Sequence, residues 1–148
     1  MLAGILIIVI STAMFCYWFR YTCLLILSTR TTQDYAGEVA AANQLSFLEV
    51  QQSLALAPSQ ALEALHSSLE RDYRVVGYLM RHVAELPVEG SPLEDIMLRV
   101  DFRVLRAWYF LTRSLFPAWS RPALAEMTQI ISHFANSFGE RVAAGARL

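Results

Sequence analysis

The chain has 148 residues, 55% of them apolar, and a formal net charge of -1. A soluble domain is usually about 45–50% apolar, so the length suits one small domain plus an apolar segment. The near-neutral balance supplies no global field toward nucleic acid. All twelve basic residues are arginine, which excludes a P-loop, whose lysine reaches the phosphates.

Residues 2–19 read LAGILIIVISTAMFCYWF, with no charge and no proline. A run of that length reaches the lower edge of what spans a hydrocarbon core of roughly 30 Å. The apolar pattern resumes after Arg20 and continues to Leu27. The reading is a transmembrane anchor over 1–28, with the lipid bilayer as its partner along residues 2–27. Tyr17, Trp18 and Tyr21 surround Arg20 and are the predicted membrane-interface anchors, because amphipathic rings collect at the headgroups and an arginine there can snorkel. No basic segment precedes the run, and no A-x-A site follows it, so an uncleaved anchor is expected rather than a signal peptide. Arg20 and Arg30 lie on its C-terminal side, which by the positive-inside rule predicts a single-pass protein of the cell membrane with the remainder in the cytoplasm. Cys16 and Cys23, seven residues apart, share a helical face and form no disulfide framework.

Residues 29–148 are predicted to be a soluble helical bundle. A first helix is expected over about Gln33 to Leu56, capped by Thr31 or Thr32, with Val39, Ala42, Leu45, Leu48 and Ala55 at 3-4 spacing. It could join the anchor in one rod bent near residues 29–32, a shape suited to a homo-oligomeric coiled coil, although Gln44, Gln51 and Gln52 interrupt the stripe. Pro58 opens a second helix to about Leu86, striped by Leu62, Leu65, Leu69, Val76, Leu79 and Val83, with Glu70 and Arg74 in the favourable i, i+4 order. A linker follows over 87–90. Ser91-Pro92-Leu93-Glu94 then reads as a capping box, with Asp95 favoured by the helix dipole, and opens a third helix to about Phe116. Pro117 is expected to stop it, and Ser120 and Pro122 to start a last helix running to about Ala144. The predicted fold is all-α: one N-terminal transmembrane helix, then a small antiparallel bundle of about four helices.

In the third of these helices Arg99, Arg103, Arg106 and Arg113 are spaced 4, 3 and 7, which places them near one face. Met97, Val100, Val104, Leu111 and Leu115 run away from them, beside Trp108-Tyr109-Phe110. The arginines form the candidate partner-binding face, able to dock an acidic helix or phosphate groups, or to lie on an anionic membrane. The ordinary alternative is a solvated face neutralised by Glu94, Asp95 and Asp101, with the aromatics in the core. The aromatics do not interleave with basic residues as single-strand binders require, so no nucleic acid is expected.

Chemistry-bearing motifs are few. His66, His82 and His133 never stand at metal-ligand spacing, and Glu63-x-x-His66 has no second copy for a di-metal bundle site. No G-x-S-x-G occurs. The reading is non-catalytic, without cofactor or metal: a membrane-anchored interaction or scaffold protein. Two alternatives stand beside it. One is an accessory subunit of a membrane complex, docked through Gly4, Ser11 and the Cys16/Cys23 face. The other is a ligand-binding or enzymatic bundle with a pocket near Trp108, Tyr109, His82 and His133.

Overall fold

The structure, a computed structural model, describes residues 1–29, 33–83 and 91–147. Among the described residues there are helices and no strand: α1 (Leu2–Ser28), α2 (Ala36–Asn43), α3 (Phe47–Ser53), a 3-10 turn (Ser59–Ala61), α4 (Leu62–Val83), α5 (Pro92–Thr112) and α6 (Pro117–Gly145). The chain divides into two compact units, Met1–Arg30 and Thr31–Leu148.

In the first unit, α1 has 27 residues and is therefore about 40 Å long. It is the one helix among the described residues long and apolar enough to cross a membrane. Apart from Arg20 its residues are uncharged, and its apolar side chains are spread all round the helix rather than along one stripe. Its hydroxyls turn back on its own carbonyls: Thr12 Oγ1 donates to Ile8 O at 2.8 Å and Thr22 Oγ1 to Trp18 O at 2.9 Å. Those side chains need no water, which a hydrocarbon setting would deny them. Tyr17 and Tyr21 stack along one side, centroids 6.4 Å apart. The helix ends at Thr29, whose ψ of 122° is extended; the rest of the bend expected near residues 29–32 lies outside the described residues. Thr31 and Thr32, the expected caps, lie outside the described residues.

In the second unit the expected helix over 33–56 is instead two short ones. Nothing in the local sequence breaks it, since neither glycine nor proline stands between Ala40 and Ser53. The break is tertiary. Gln44 closes α2 in the left-handed region, φ 54° and ψ 44°, and Leu45 N–H returns to Ala40 O at 2.9 Å. The next residue, Ser46, is held by Asp72 of α4, whose carboxylate accepts its backbone N–H at 2.7 Å and its hydroxyl at 3.2 Å. Leu45, Phe47 and Val50 are thereby buried, whereas Ala42 and Ala55 of the expected stripe are exposed.

α4 follows its expected stripe, with Leu62, Leu69 and Val76 buried, but it also buries His66, Asp72 and Met80. The expected end near Leu86 and the linker over 87–90 lie outside the described residues. α5 begins where the capping box places it, with Ser91 as N-cap and Pro92 in the first turn, yet the Ser91 side chain makes no capping hydrogen bond. Asp95 instead accepts from Arg141 of α6 at 3.0 Å.

α6 starts at Pro117, earlier than expected. Pro117 sits at the first position, where a missing N–H costs nothing, and Pro122 falls inside the helix. It forfeits the bond to the Ala118 carbonyl, and its ring crowds that carbonyl. α6 packs against α2, α3, α4 and α5. It is the centre of the unit: Leu124, Met127, Ile130, Ile131 and Ala135 are fully buried. Arg121, near its start, reaches two carbonyls at the end of the α3 segment, Leu54 O at 2.9 Å and Ala57 O at 2.6 Å. Farther along, Asn136 Oδ1 accepts the Tyr35 N–H at 2.7 Å. At Gly139 an added methyl would collide with Cβ and Cγ of Tyr35, so glycine is what lets the start of α2 lie against α6.

Candidate functional site

α4 and α5 both rest on α6 and meet each other through side chains. Glu63 pairs with Arg113 at 3.3 Å and Glu70 with Arg106 at 3.2 Å. Tyr73 stacks on Phe102, centroids 3.8 Å apart and planes within 5°. Residue numbers rise on one helix as they fall on the other, so the two run antiparallel. His66 stacks on Tyr109 at 4.3 Å and meets the edge of Phe110 at 5.1 Å.

Between the two helices lies a groove of about 590 Å³ lined by Glu70, Tyr73, Arg74, Phe102, Arg103 and Arg106. A smaller recess of about 260 Å³ shares Tyr73 and Arg74 with it and adds Arg81, Arg99 and Phe134. Burial pushes the Tyr73 phenol above its ordinary value, while Arg99, Arg103, Arg106 and Arg81 all pull it down. Four guanidinium groups therefore project positive potential onto one ring.

The arginines of the expected face differ in state. Arg106 and Arg113 are tied to Glu70 and Glu63 of α4, and Arg113 also lies over the Phe110 ring at 5.0 Å. These pairs are solvent-accessible, so each is worth at most about 1 kcal/mol. Arg99 sits over Phe134 at 6.0 Å. No carboxylate among the described residues pairs with Arg99 or Arg103, nor with Arg74 or Arg81 from α4. Of the acids expected to neutralise the face, Asp95 pairs with Arg141, and Asp101 is fully buried. The expected Glu70–Arg74 side-chain pair is not formed either. Arg74 Nε donates to the Glu70 backbone carbonyl at 3.4 Å, and the Glu70 carboxylate turns to Arg106. Arg74 and Arg81 were invisible as site residues in the sequence because they join the α5 arginines only when the two helices face each other.

α5 is apolar on two sides. Leu98, Phe102, Leu105 and Tyr109 are buried, Tyr109 to 1% exposure, but Val100, Val104, Leu111 and Leu115 are exposed, the last two at 66% and 69%. Trp108, Phe110, Phe116 and Trp119 are exposed too. The expectation that these aromatics fill the core is corrected; Tyr109 alone of the Trp108-Tyr109-Phe110 run points inward. Trp119 stacks on both Trp108, at 6.3 Å, and Phe116, at 5.0 Å.

The histidines form no shared centre. No group of three or more metal-ligating side chains occurs among the described residues. His82 bonds to Tyr78 O of its own helix at 2.9 Å. His133 lies near Asp95, Glu94 and Glu140, and burial holds its pKa below 6.5. Burial likewise lowers the pKa of His66, with Glu70 opposing and Arg106 and Arg113 reinforcing the shift. The Nε2 of His66 has no hydrogen-bond partner among the described residues. In the first unit Tyr17, Trp18, Arg20 and Tyr21 fall on consecutive turns of α1.

Comparison with protein-family models, with curated proteins and with solved structures finds no match.

Proposed function

We propose that this chain is a single-pass, membrane-anchored interaction module without catalytic activity, whose groove between α4 and α5 receives an acidic amphipathic segment of a partner protein. The observation that carries this reading is the set Arg74, Arg81, Arg99 and Arg103. They surround the Tyr73–Phe102 stack and have no carboxylate partner among the described residues. Guanidinium groups favour carboxylate partners with fork-like geometry, and an aromatic floor takes the apolar side of an amphipathic segment. The length of α1 and its charge-free run over residues 2–19 support the anchor, and Arg20 and Arg30 on the C-terminal side of that run support a cytoplasmic second unit.

The test uses the full chain in phosphatidylcholine nanodiscs and a synthetic helical peptide carrying glutamate and leucine at i, i+3, i+4 and i+7. Fluorescence anisotropy should show binding that weakens with salt. The double reversal R74E/R103E should weaken it tenfold or more, and R147E, outside the groove, should leave it intact. Equal affinity for all three proteins would refute the groove. Replacing residues 2–28 by an unrelated transmembrane helix should preserve binding; loss would shift the docking role to α1 and favour the accessory-subunit alternative.

A further inference from the structure

The outer side of α5 is a second surface, distinct from the arginine groove. Taking 3.6 residues per turn, the buried arc of Leu98, Phe102, Leu105 and Tyr109 and the exposed arc of Leu93, Val100, Val104 and Leu111 lie on nearly opposite sides of the helix. The groove arginines lie between them on one flank. At the C-terminal end the exposed arc continues into Leu115, Phe116 and Trp119. A soluble surface that exposes so continuous an apolar arc marks a site of association.

The geometry points to this arc resting on the surface of an anionic bilayer. Three observations select that occupant. Between Ile96 and Ala125 there are five arginines and a single acidic residue, Asp101, and Asp101 is fully buried. The stretch therefore carries no accessible anion of its own. Arg106 and Arg113 pair with α4 carboxylates and Arg121 with backbone carbonyls, so Arg99 and Arg103 on the flank of the arc are the cations that complement acidic lipid headgroups. The stacked Trp108, Trp119 and Phe116 are the residue types that settle at headgroup depth. Finally, only residues 29–35 separate α1 from α2, a reach of at most about 25 Å. If α1 spans the bilayer, the second unit is tethered beside it at high effective concentration, so a modest surface affinity suffices. The inference rests on the membrane reading of α1, and it shares Arg99 and Arg103 with the groove and its recess.

The protein has three tryptophans, and W18F leaves Trp108 and Trp119 as reporters of this face. The full-length W18F protein is reconstituted into vesicles of phosphatidylcholine alone or with phosphatidylglycerol, each with and without brominated lipid. The expected result is emission shifted to shorter wavelength and quenched by brominated lipid in the phosphatidylglycerol vesicles, weakened by salt, and lost in V104E/L111E. Unquenched emission in both lipids overturns the proposal. So does equal quenching in phosphatidylcholine alone, which removes the role of charge. A blue shift that depends on protein density and not on brominated lipid also overturns it and assigns the face to a second copy. Resistance of the same samples to alkaline carbonate reads α1 separately, so failure of the anchor and failure of the α5 face are distinguishable.

Discussion

The carboxylate of Asp72 accepts the backbone N–H of Ser46 at 2.7 Å across 26 residues of chain, and its side chain is completely buried. Arg71 reinforces the junction, donating to the other Asp72 oxygen at 3.3 Å and to Ser46 Oγ at 3.2 Å. The turn between α2 and α3 is thus held from α4. Replacing Asp72 with Asn keeps the shape but swaps an acceptor for a donor that can face the Ser46 N–H. D72N should destabilise by about 1.5–3 kcal/mol, read as a lower urea midpoint in detergent micelles with an unchanged slope. A wild-type midpoint would show that the turn stands without this carboxylate.

Gly139 faces Tyr35 with no room for a side chain. G139A should cost about 1–3 kcal/mol through overpacking. The contact is with Cβ of Tyr35, so trimming Tyr35 to alanine should not rescue it. In a Y35G background the same substitution should cost far less. Equal costs in both backgrounds would place the strain elsewhere.

Burial holds His66 and His133 below their ordinary value of 6.5 in the folded chain. As pH falls through 6.5, the unfolded chain takes up protons first, so their contribution is complete above that pH and is lost below it. The melting temperature should therefore be lower at about pH 5.5 than at about pH 7.5. H66F, which retains an aromatic ring against Tyr109, should flatten that slope, and H66F/H133F should flatten it further. A slope unchanged in the double variant would assign the acid sensitivity to other groups.

The Arg121 guanidinium satisfies the carbonyls of Leu54 and Ala57, acceptors that a helix end otherwise leaves to water. R121A should cost about 1–3 kcal/mol. Its local signature is faster hydrogen exchange in the segment 50–61, seen by mass spectrometry, with little change in α5. Uniform acceleration across the second unit would indicate a global rather than a local role.

What could be read from the sequence was set by local signals. α1 announces itself by an apolar run free of charge, α4 by its 3-4 stripe, and the start of α5 by Ser91 and Pro92. The break at Gln44 was not legible because its cause, Asp72, lies on another helix. Pro122 was read as a start because proline favours the first turn; Pro117 occupies that position instead. α5 poses the sharper problem. Its pattern contains two apolar arcs, and periodicity alone does not say which one meets the rest of the protein. The structure turns Leu98, Phe102, Leu105 and Tyr109 inward and leaves the arc through Val100, Val104 and Leu111 outside. Likewise the four arginines were recognisable as a face, but their division into two paired with α4 carboxylates and two open to the groove depends on the partner helix.

The central place of α6 has a temporal consequence. It is the last helix in chain order, yet it packs against α2, α3, α4 and α5. During synthesis the first four segments of the second unit emerge without the surface on which they close. Closure waits for α6 itself, one more long helix, to leave the ribosome. Assembly of the second unit is in that sense governed by α6, which decides when the preceding helices become a domain.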